Sequence, residues 1–201
     1  ENEYIGVPCG IMDQMAVAIA KPGEAIALDT QSLEYHVVDL PKSHDMVVIH
    51  SGVTRKLTDG RYAARKEECD IAKEAFGTDD LCLLDPDTID GFDGIDDAIR
   101  RRARHCTTEH RRVLSAIDAL SAGDVCQFGA LMAASHSSMR DDFEMSLPAI
   151  DALVEDAVDL GAVGARLTGG GFGGCIVACT ERSKQTEWQD KLLAKHPKAK
   201  F

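Results

Sequence analysis

Ala162-Val163-Gly164-Ala165-Arg166-Leu167-Thr168, then Gly169-Gly170-Gly171-Phe172-Gly173-Gly174, then Cys175-Ile176-Val177-Ala178-Cys179-Thr180 is the stretch on which the fold turns. Its middle places five glycines in six positions and formally satisfies GxGxxG. The dinucleotide-binding use of that motif needs a helix directly after the glycines, so that helix N-terminal amides face a pyrophosphate. Here the following residues are small and β-branched and read as a strand, which excludes a Rossmann site. A strand, a glycine loop and a second strand remain. A tight turn requires one or two glycines, so five predict a loop whose backbone can approach an anion or a sugar closely.

Working outward, helical patterns run over Ile95 to Ala122, Val125 to Met139 and Leu147 to Leu160, with breaks at Gly123 and Gly161. A closing helix is predicted from Ser183 to Lys195. Upstream, Asp59 is a suitable N-cap for a charged helix running through Phe76 to Gly77, and Asp79 to Asp93 reads as an acidic loop. Cys9 to Ala20 has near-helical apolar spacing ended by Lys21-Pro22-Gly23. Ala25 to Leu28 and Leu33 to Leu40 form a predicted hairpin across Asp29-Thr30-Gln31-Ser32, and Met46 to His50 is a third strand. Strands separated by helical blocks, with one direct strand-loop-strand connection, predict an α+β sandwich. There is no repeat or low-complexity tract.

The chain has 201 residues, 44% of them hydrophobic, which suffices for a packed core. With 34 acidic and 22 basic side chains the net charge is -12, so a nucleic-acid partner, which needs a basic face, and an anionic membrane surface are both excluded. The longest uninterrupted apolar run, Met15 to Ala20, is far below the roughly 18 residues of a membrane span. Seven cysteines without a CxxC pair suit neither a disulfide scaffold nor a zinc knuckle. A soluble cytoplasmic protein with reduced thiols packed in its core is expected. The chain opens on Glu1 and stops at Phe201 just after a helical pattern, so both ends read as cut.

A second chemical feature is Pro8-Cys9-Gly10-Ile11-Met12-Asp13-Gln14, where one carboxylate stands among apolar neighbours in the first turns of a short helix. Asp13 is there either a general base or a charge complementing the helix dipole, a contribution of about 0.3–1 kcal/mol. His105, Glu109 and His110 are spaced H-x-x-x-E-H, which matches neither HExxH nor HxxEH, and read as a charged helix face. The basic run Arg100-Arg101-Arg102-Ala103-Arg104 likewise reads as a solvated face.

Three segments then combine. Glu1-Asn2-Glu3-Tyr4-Ile5-Gly6-Val7-Pro8-Cys9-Gly10-Ile11-Met12-Asp13-Gln14, the run Ser137-Ser138-Met139-Arg140-Asp141-Asp142-Phe143-Glu144 after His136, and Leu167 to Cys175 together resemble the galactokinases of the GHMP small-molecule kinases. Arg55, Lys56, Leu57, Tyr62, Arg65 and Lys66 resemble a further pattern of that family, in the same chain order. The likeness implies the tail of an N-terminal domain over residues 1–45 and most of a ferredoxin-like C-terminal domain over 46–201. It also implies that the family's sugar-recognition motif, the arginine partner of Asp13, the serine-rich phosphate loop for ATP and a final strand lie outside these residues. The chain is therefore expected to be inactive alone.

By the same likeness the activity is ATP-dependent phosphorylation of the C1 hydroxyl of α-D-galactose, with Mg²⁺, in a protein monomeric when full length. Asp13 is implied as the catalytic carboxylate and Glu1 as a Mg²⁺ ligand. Tyr62 is implied as a sugar contact, although a half-buried helix tyrosine with its hydroxyl in water has the same sequence signature. Cys9 and Gly10 are implied to frame the sugar, and Gly170 and Gly171 to line the junction of sugar and phosphate. Arg140 with Asp141-Asp142 is expected to make local ion pairs bracing the glycine loop. Another GHMP sugar 1-kinase, and a galactose- and ATP-binding sensor without catalysis, are the alternatives.

Overall fold

The computed structural model describes residues 10–54 and 60–201. Helix α1 (Met12–Ile19) leads into an antiparallel hairpin, β1 (Glu24–Leu28) and β2 (Tyr35–Asp39), with Leu28 opposite Tyr35. The Asp29 carboxylate accepts the amides of Gln31 and Ser32 at 2.8 and 3.0 Å, and Leu33 takes the left-handed conformation at φ 61°. That turn delays β2 by two residues relative to the start predicted at Leu33.

β3 (His44–His50) enters a second sheet. Helix α2 (Arg61–Phe76) follows, with Gly60 in the left-handed region at its N-cap; the predicted cap, Asp59, lies outside the described residues. The expected acidic loop is instead structured by its own aspartates. Asp80 caps a 3-10 turn at Leu81–Leu83 and Asp85 caps α3 (Pro86–Asp90), each carboxylate accepting an amide two residues on, while Leu81 and Ile89 are buried. The segment expected as an acidic loop thus contains two short capped helical turns.

The long helix α4 (Asp97–Ser121), capped by Asp96, is followed by α5 (Val125–Asp141) and α6 (Pro148–Asp159). Then come β4 (Gly164–Thr168), the glycine loop, β5 (Cys175–Glu181), a 3-10 turn at Arg182–Lys184 and α7 (Gln185–Lys195). The second sheet has the order β3-β5-β4, antiparallel throughout, with Val47 opposite Ala178 and Ala165 opposite Ala178 across the central strand. The fold is α+β, as the sequence predicts.

One core joins this sheet to α5, α6 and α7 through Ile49, Ile150, Leu153, Leu167, Ile176 and Trp188. The Trp188 indole donates to the Ala157 carbonyl at 2.9 Å, so the large ring is buried without an orphaned N–H. A smaller core of Ala72, Leu81, Ile89 and Ala103 holds α2 against α4. Helix α5 lies directly on β4: a Cβ on Gly129 would stand 2.2 Å from the Val163 carbonyl oxygen, and one on Gly164 2.5 Å from that of Gly129. Only hydrogen at both positions permits that approach. Past α7, Lys200 and His50 exchange backbone hydrogen bonds of 2.8 and 2.9 Å on the outer side of β3. Among the described residues no helix is long and apolar enough to cross a membrane.

Candidate functional site

The glycine loop is fastened from two sides. The Phe172 amide donates to the Met145 carbonyl at 2.7 Å, and the Gly174 amide to the Val53 carbonyl at 2.9 Å. At Gly171, with φ 75°, a Cβ would meet the Met145 carbonyl oxygen at 2.7 Å; at Gly173, with φ 124°, it would meet that of Val53 at 3.0 Å. The glycines therefore serve two purposes: part of the loop is pressed against neighbouring backbone, and part faces open space. Ser51 closes the other end, its amide and hydroxyl both donating to the Gly174 carbonyl.

The open side borders a cleft of about 310 Å³ whose walls include Tyr62, Arg65, Cys69, Phe143, Met145 and Gly170. Tyr62, Arg65 and Cys69 recur at helical spacing along one face of α2, because residues three and four apart share a face. Arg61, at the start of α2, stacks its guanidinium 4.6 Å from the Phe172 ring centroid, joining the helix to the loop. The structure thus brings Tyr62 and Gly170 to one cleft, with Tyr62 48% exposed and able to meet a ligand. Gly171 is buried against Met145.

Asp13 and Gly10 are placed elsewhere. Asp13 is exposed in the first turn of α1, which rests on β1, and neither residue lines the cleft. Cys9 and Glu1, as well as Arg55, Lys56 and Leu57, lie outside the described residues. Among the described residues no group of three or more His, Cys, Asp or Glu side chains converges as a metal site.

The basic run is not a solvated face. Arg102 is 1% exposed and inserts between three elements. Its Nε donates to Glu68 of α2 at 2.5 Å, its Nη1 to the Asp142 carbonyl at 2.5 Å and its Nη2 to Glu144 at 2.7 Å. Arg101 donates to the other Glu144 oxygen at 2.6 Å and to the Asp141 carbonyl at 2.8 Å. Arg100 bonds the Phe92 carbonyl and Arg104 pairs with Asp90. Hydrogen bonds from Arg101, then Arg102, hold the Glu144 carboxyl down at about 2. Glu144 itself sits at φ 50° immediately before Met145, whose carbonyl anchors the glycine loop. The brace of that loop is therefore the Arg101-Arg102-Glu144 cluster. The adjacent Arg140 pairs locally with Asp141 at 2.7 Å, and Asp142 accepts from the Ser138 hydroxyl.

His105 and Glu109 are not a charged surface either. Glu109 accepts from Ser135, from Arg112 at 2.7 Å and from Arg166 of β4 at 3.0 Å. Burial alone raises its carboxyl, but these partners together hold it below the usual range. A surface reading failed because H-x-x-x-E-H and R-R-R-A-R carry no sign of the elements that will cover them. His136 accepts the Leu167 amide at 3.3 Å through Nδ1 and faces Asp151 through Nε2 at 3.2 Å, fixing the end of β4 before the glycines.

His105 packs on Phe143 with ring centroids 4.4 Å apart and meets Ser138 at 3.0 Å, and burial pushes it down to about 4. With a folded value below the unfolded one, its contribution is fully present above about pH 6.5 and is lost as pH falls toward 4. Urea unfolding between pH 7 and pH 4.5 is expected to show a loss on the order of 2–3 kcal/mol from this group. A His105→Gln variant should show a shallower pH dependence over that window; an unchanged slope would assign the acid sensitivity elsewhere. The Glu144 contribution falls in a lower window, between its ordinary value and about 2.

Residues 116–198 match the family described as GHMP kinases C terminal. The structure of Lactococcus lactis galactokinase complexed with galactose is 32% identical to this chain and superimposes with a TM-score of 0.92, covering 99% of this chain and 55% of that one. An L. major mevalonate kinase in complex with R-mevalonate, 21% identical with a TM-score of 0.57, covers 93% of this chain and 53% of its own, and shares the fold. A further mevalonate kinase shares it at 17% identity and a TM-score of 0.58, over 96% of this chain and 50% of its own. The chain spans about half the length of the structures it matches. Residues 116–198 are thus similar to the C-terminal part of the GHMP kinases, and the chain shares its fold with about half of the Lactococcus lactis galactokinase structure.

Proposed function

We propose that the full-length protein is a galactokinase that transfers the γ-phosphoryl group of ATP to the C1 hydroxyl of α-D-galactose, yielding galactose 1-phosphate and ADP. The observation that carries the reading is the cleft that Tyr62 and Gly170 share, two of the described residues that the family likeness puts at the sugar and at its junction with phosphate. Tyr62 offers a ring face to the pyranose and a hydroxyl to its oxygens. Gly170, without a side chain, lets the sugar and phosphate come close to the loop backbone, with Gly171 buttressing it from beneath.

The reading assigns to Asp13 the proton of the C1 hydroxyl as that oxygen attacks phosphorus and the bond to the ADP oxygen breaks; because Asp13 does not line the cleft in these 201 residues, it requires the full-length protein to bring α1 to the sugar. By the same likeness Cys9 and Gly10, which precede Asp13 in the sequence, would frame the sugar once that segment reaches it. In phosphoryl transfer most of the stabilisation comes from charges arranged around the phosphate rather than from the base, so the remaining groups belong to the rest of the protein. Glu1 would be one ligand of a Mg²⁺ ion bound with ATP, which would supply charge neutralisation of the phosphates. Residues 1–45 then belong to an N-terminal domain and 46–201 to the C-terminal one, in a cytoplasmic monomer.

The test is steady-state kinetics of the full-length protein with galactose, arabinose, galacturonate and N-acetylgalactosamine, each with ATP and Mg²⁺. Galactose is expected to give the highest kcat/KM, and the 201-residue chain alone no turnover. A higher kcat/KM for another sugar would assign a different sugar 1-kinase, and galactose binding without ADP release would assign a sensor.

A further inference from the structure

The wall of the cleft holds a pair of thiols that the phosphotransfer reading does not use. Cys69 of α2 and Cys106 of α4 have their sulfur atoms 3.9 Å apart, across the packing of those two helices. Both are free, and Cys69 also lines the cleft, two turns along the same face of α2 as Tyr62. Cys106 lies behind it, beside the small core formed by Ala72, Leu81, Ile89 and Ala103. One thiol therefore opens to a solvent-filled space and the second waits in contact beneath it.

We propose that Cys69 and Cys106 form a reversible disulfide when a hydroperoxide enters the cleft, tethering the Tyr62 helix to α4. Cys69 is the attacking group. It lines the cleft and Cys106 does not, so a hydroperoxide reaches its sulfur first; its contact with Cys106 lowers its thiol against the opposing effect of burial, and Lys73 of the same wall acts in the lowering direction. The same contact, together with burial, pushes the Cys106 thiol far up, so it is poor as a first nucleophile and placed to act second.

In the first step the Cys69 thiolate attacks the terminal oxygen of the hydroperoxide, the O–O bond breaks, alkoxide (hydroxide for hydrogen peroxide) leaves and a sulfenic acid forms. In the second, the Cys106 thiol gives up its proton, its sulfur attacks the Cys69 sulfur and hydroxide leaves to be protonated to water. Two thiols are oxidised and one hydroperoxide is reduced, with the S–S bond as the only new bond in the protein. The sulfur atoms, now in contact at 3.9 Å, must close to about 2.05 Å for the bond to form. Cys82 is half-buried and pushed up to about 11 by that burial, which disfavours it as a competitor. Cys126 is exposed and serves as an internal reference for indiscriminate oxidation.

The experiment exposes the full-length protein to hydrogen peroxide, alkylates it with iodoacetamide and maps peptides by mass spectrometry. The expected result is a cross-linked peptide pair containing Cys69 and Cys106, two hydrogens lighter than the reduced pair and restored by dithiothreitol, with Cys126 still alkylated. In Cys106→Ser and Cys106→Ala variants, Cys69 should persist as a sulfenic acid trapped by dimedone; in Cys69→Ser, Cys106 should stay reduced. Unchanged alkylation of both cysteines after peroxide, or a cross-link from Cys69 to Cys82 instead, would overturn the proposal. Because the readout is thiol chemistry, the outcome is independent of whether galactose is the substrate.

Discussion

In the full-length protein, Asp13→Asn is expected to lower galactose phosphorylation by about 10²- to 10⁴-fold in kcat while leaving the fold intact, the range a positioned general base contributes. Asparagine keeps the size of the side chain and removes its ability to accept a proton. Asp13 is exposed in the first turn of α1, where the N-cap Ile11 makes no side-chain cap bond, so the alternative role of Asp13 is to complement the helix dipole. That role is worth about 0.3–1 kcal/mol and acts on stability, not on rate. The two roles therefore separate cleanly in one variant. A large fall in kcat with an unchanged urea midpoint assigns the base; near-normal turnover with a slightly lower midpoint assigns the dipole charge and removes Asp13 from the chemistry.

Arg102→Met is expected to destabilise the protein by about 3 kcal/mol, the lower end of what breaking a buried charge pair costs. Methionine fills much of the volume but leaves the Asp142 carbonyl without its donor and takes one partner from each of Glu68 and Glu144. The cost stays at the lower end because Glu68 keeps Arg65 and Glu144 keeps Arg101, and the Glu144 side chain is 44% exposed to water. The change also reaches the cleft, since Arg102 ties α2, which carries Tyr62, to the segment whose Met145 carbonyl holds Phe172. A raised KM for galactose with a smaller change in kcat is expected beside the lower urea midpoint. Arg102→Lys restores one charge but not the three-way fork, and should recover only part of the stability. Wild-type stability in the methionine variant would show that the fork adds nothing net.

Some of this architecture is written locally. The glycine loop between two strands, the capped start of α4 at Asp96, and the hairpin turn around Asp29 depend on neighbours a few residues away, and the sequence carries them with small shifts at the ends. The run from Asp79 to Asp93 is equally local but reads as a loop in the sequence, because helical turns this short show no periodicity and the burial of Leu81 and Ile89 is set by packing.

What the sequence by itself determined is the α+β class, the strand-loop-strand at Gly169 to Gly174 that rules out a Rossmann site, and the family resemblance that singled out Asp13, Tyr62 and Gly170. Only the tertiary structure decided which charges are solvated and which are structural. Arg102, Glu109 and His105 gain their character from residues 26 to 57 positions away in the chain, among them Ser135, Ser138, Glu144 and Arg166. A local pattern registers spacing along one helix, whereas burial and pairing of charge depend on the other elements that come to rest on it. The same holds for the loop glycines: their number is legible in the sequence, but the division between those pressed on Met145 and Val53 and the one facing the cleft is set by packing.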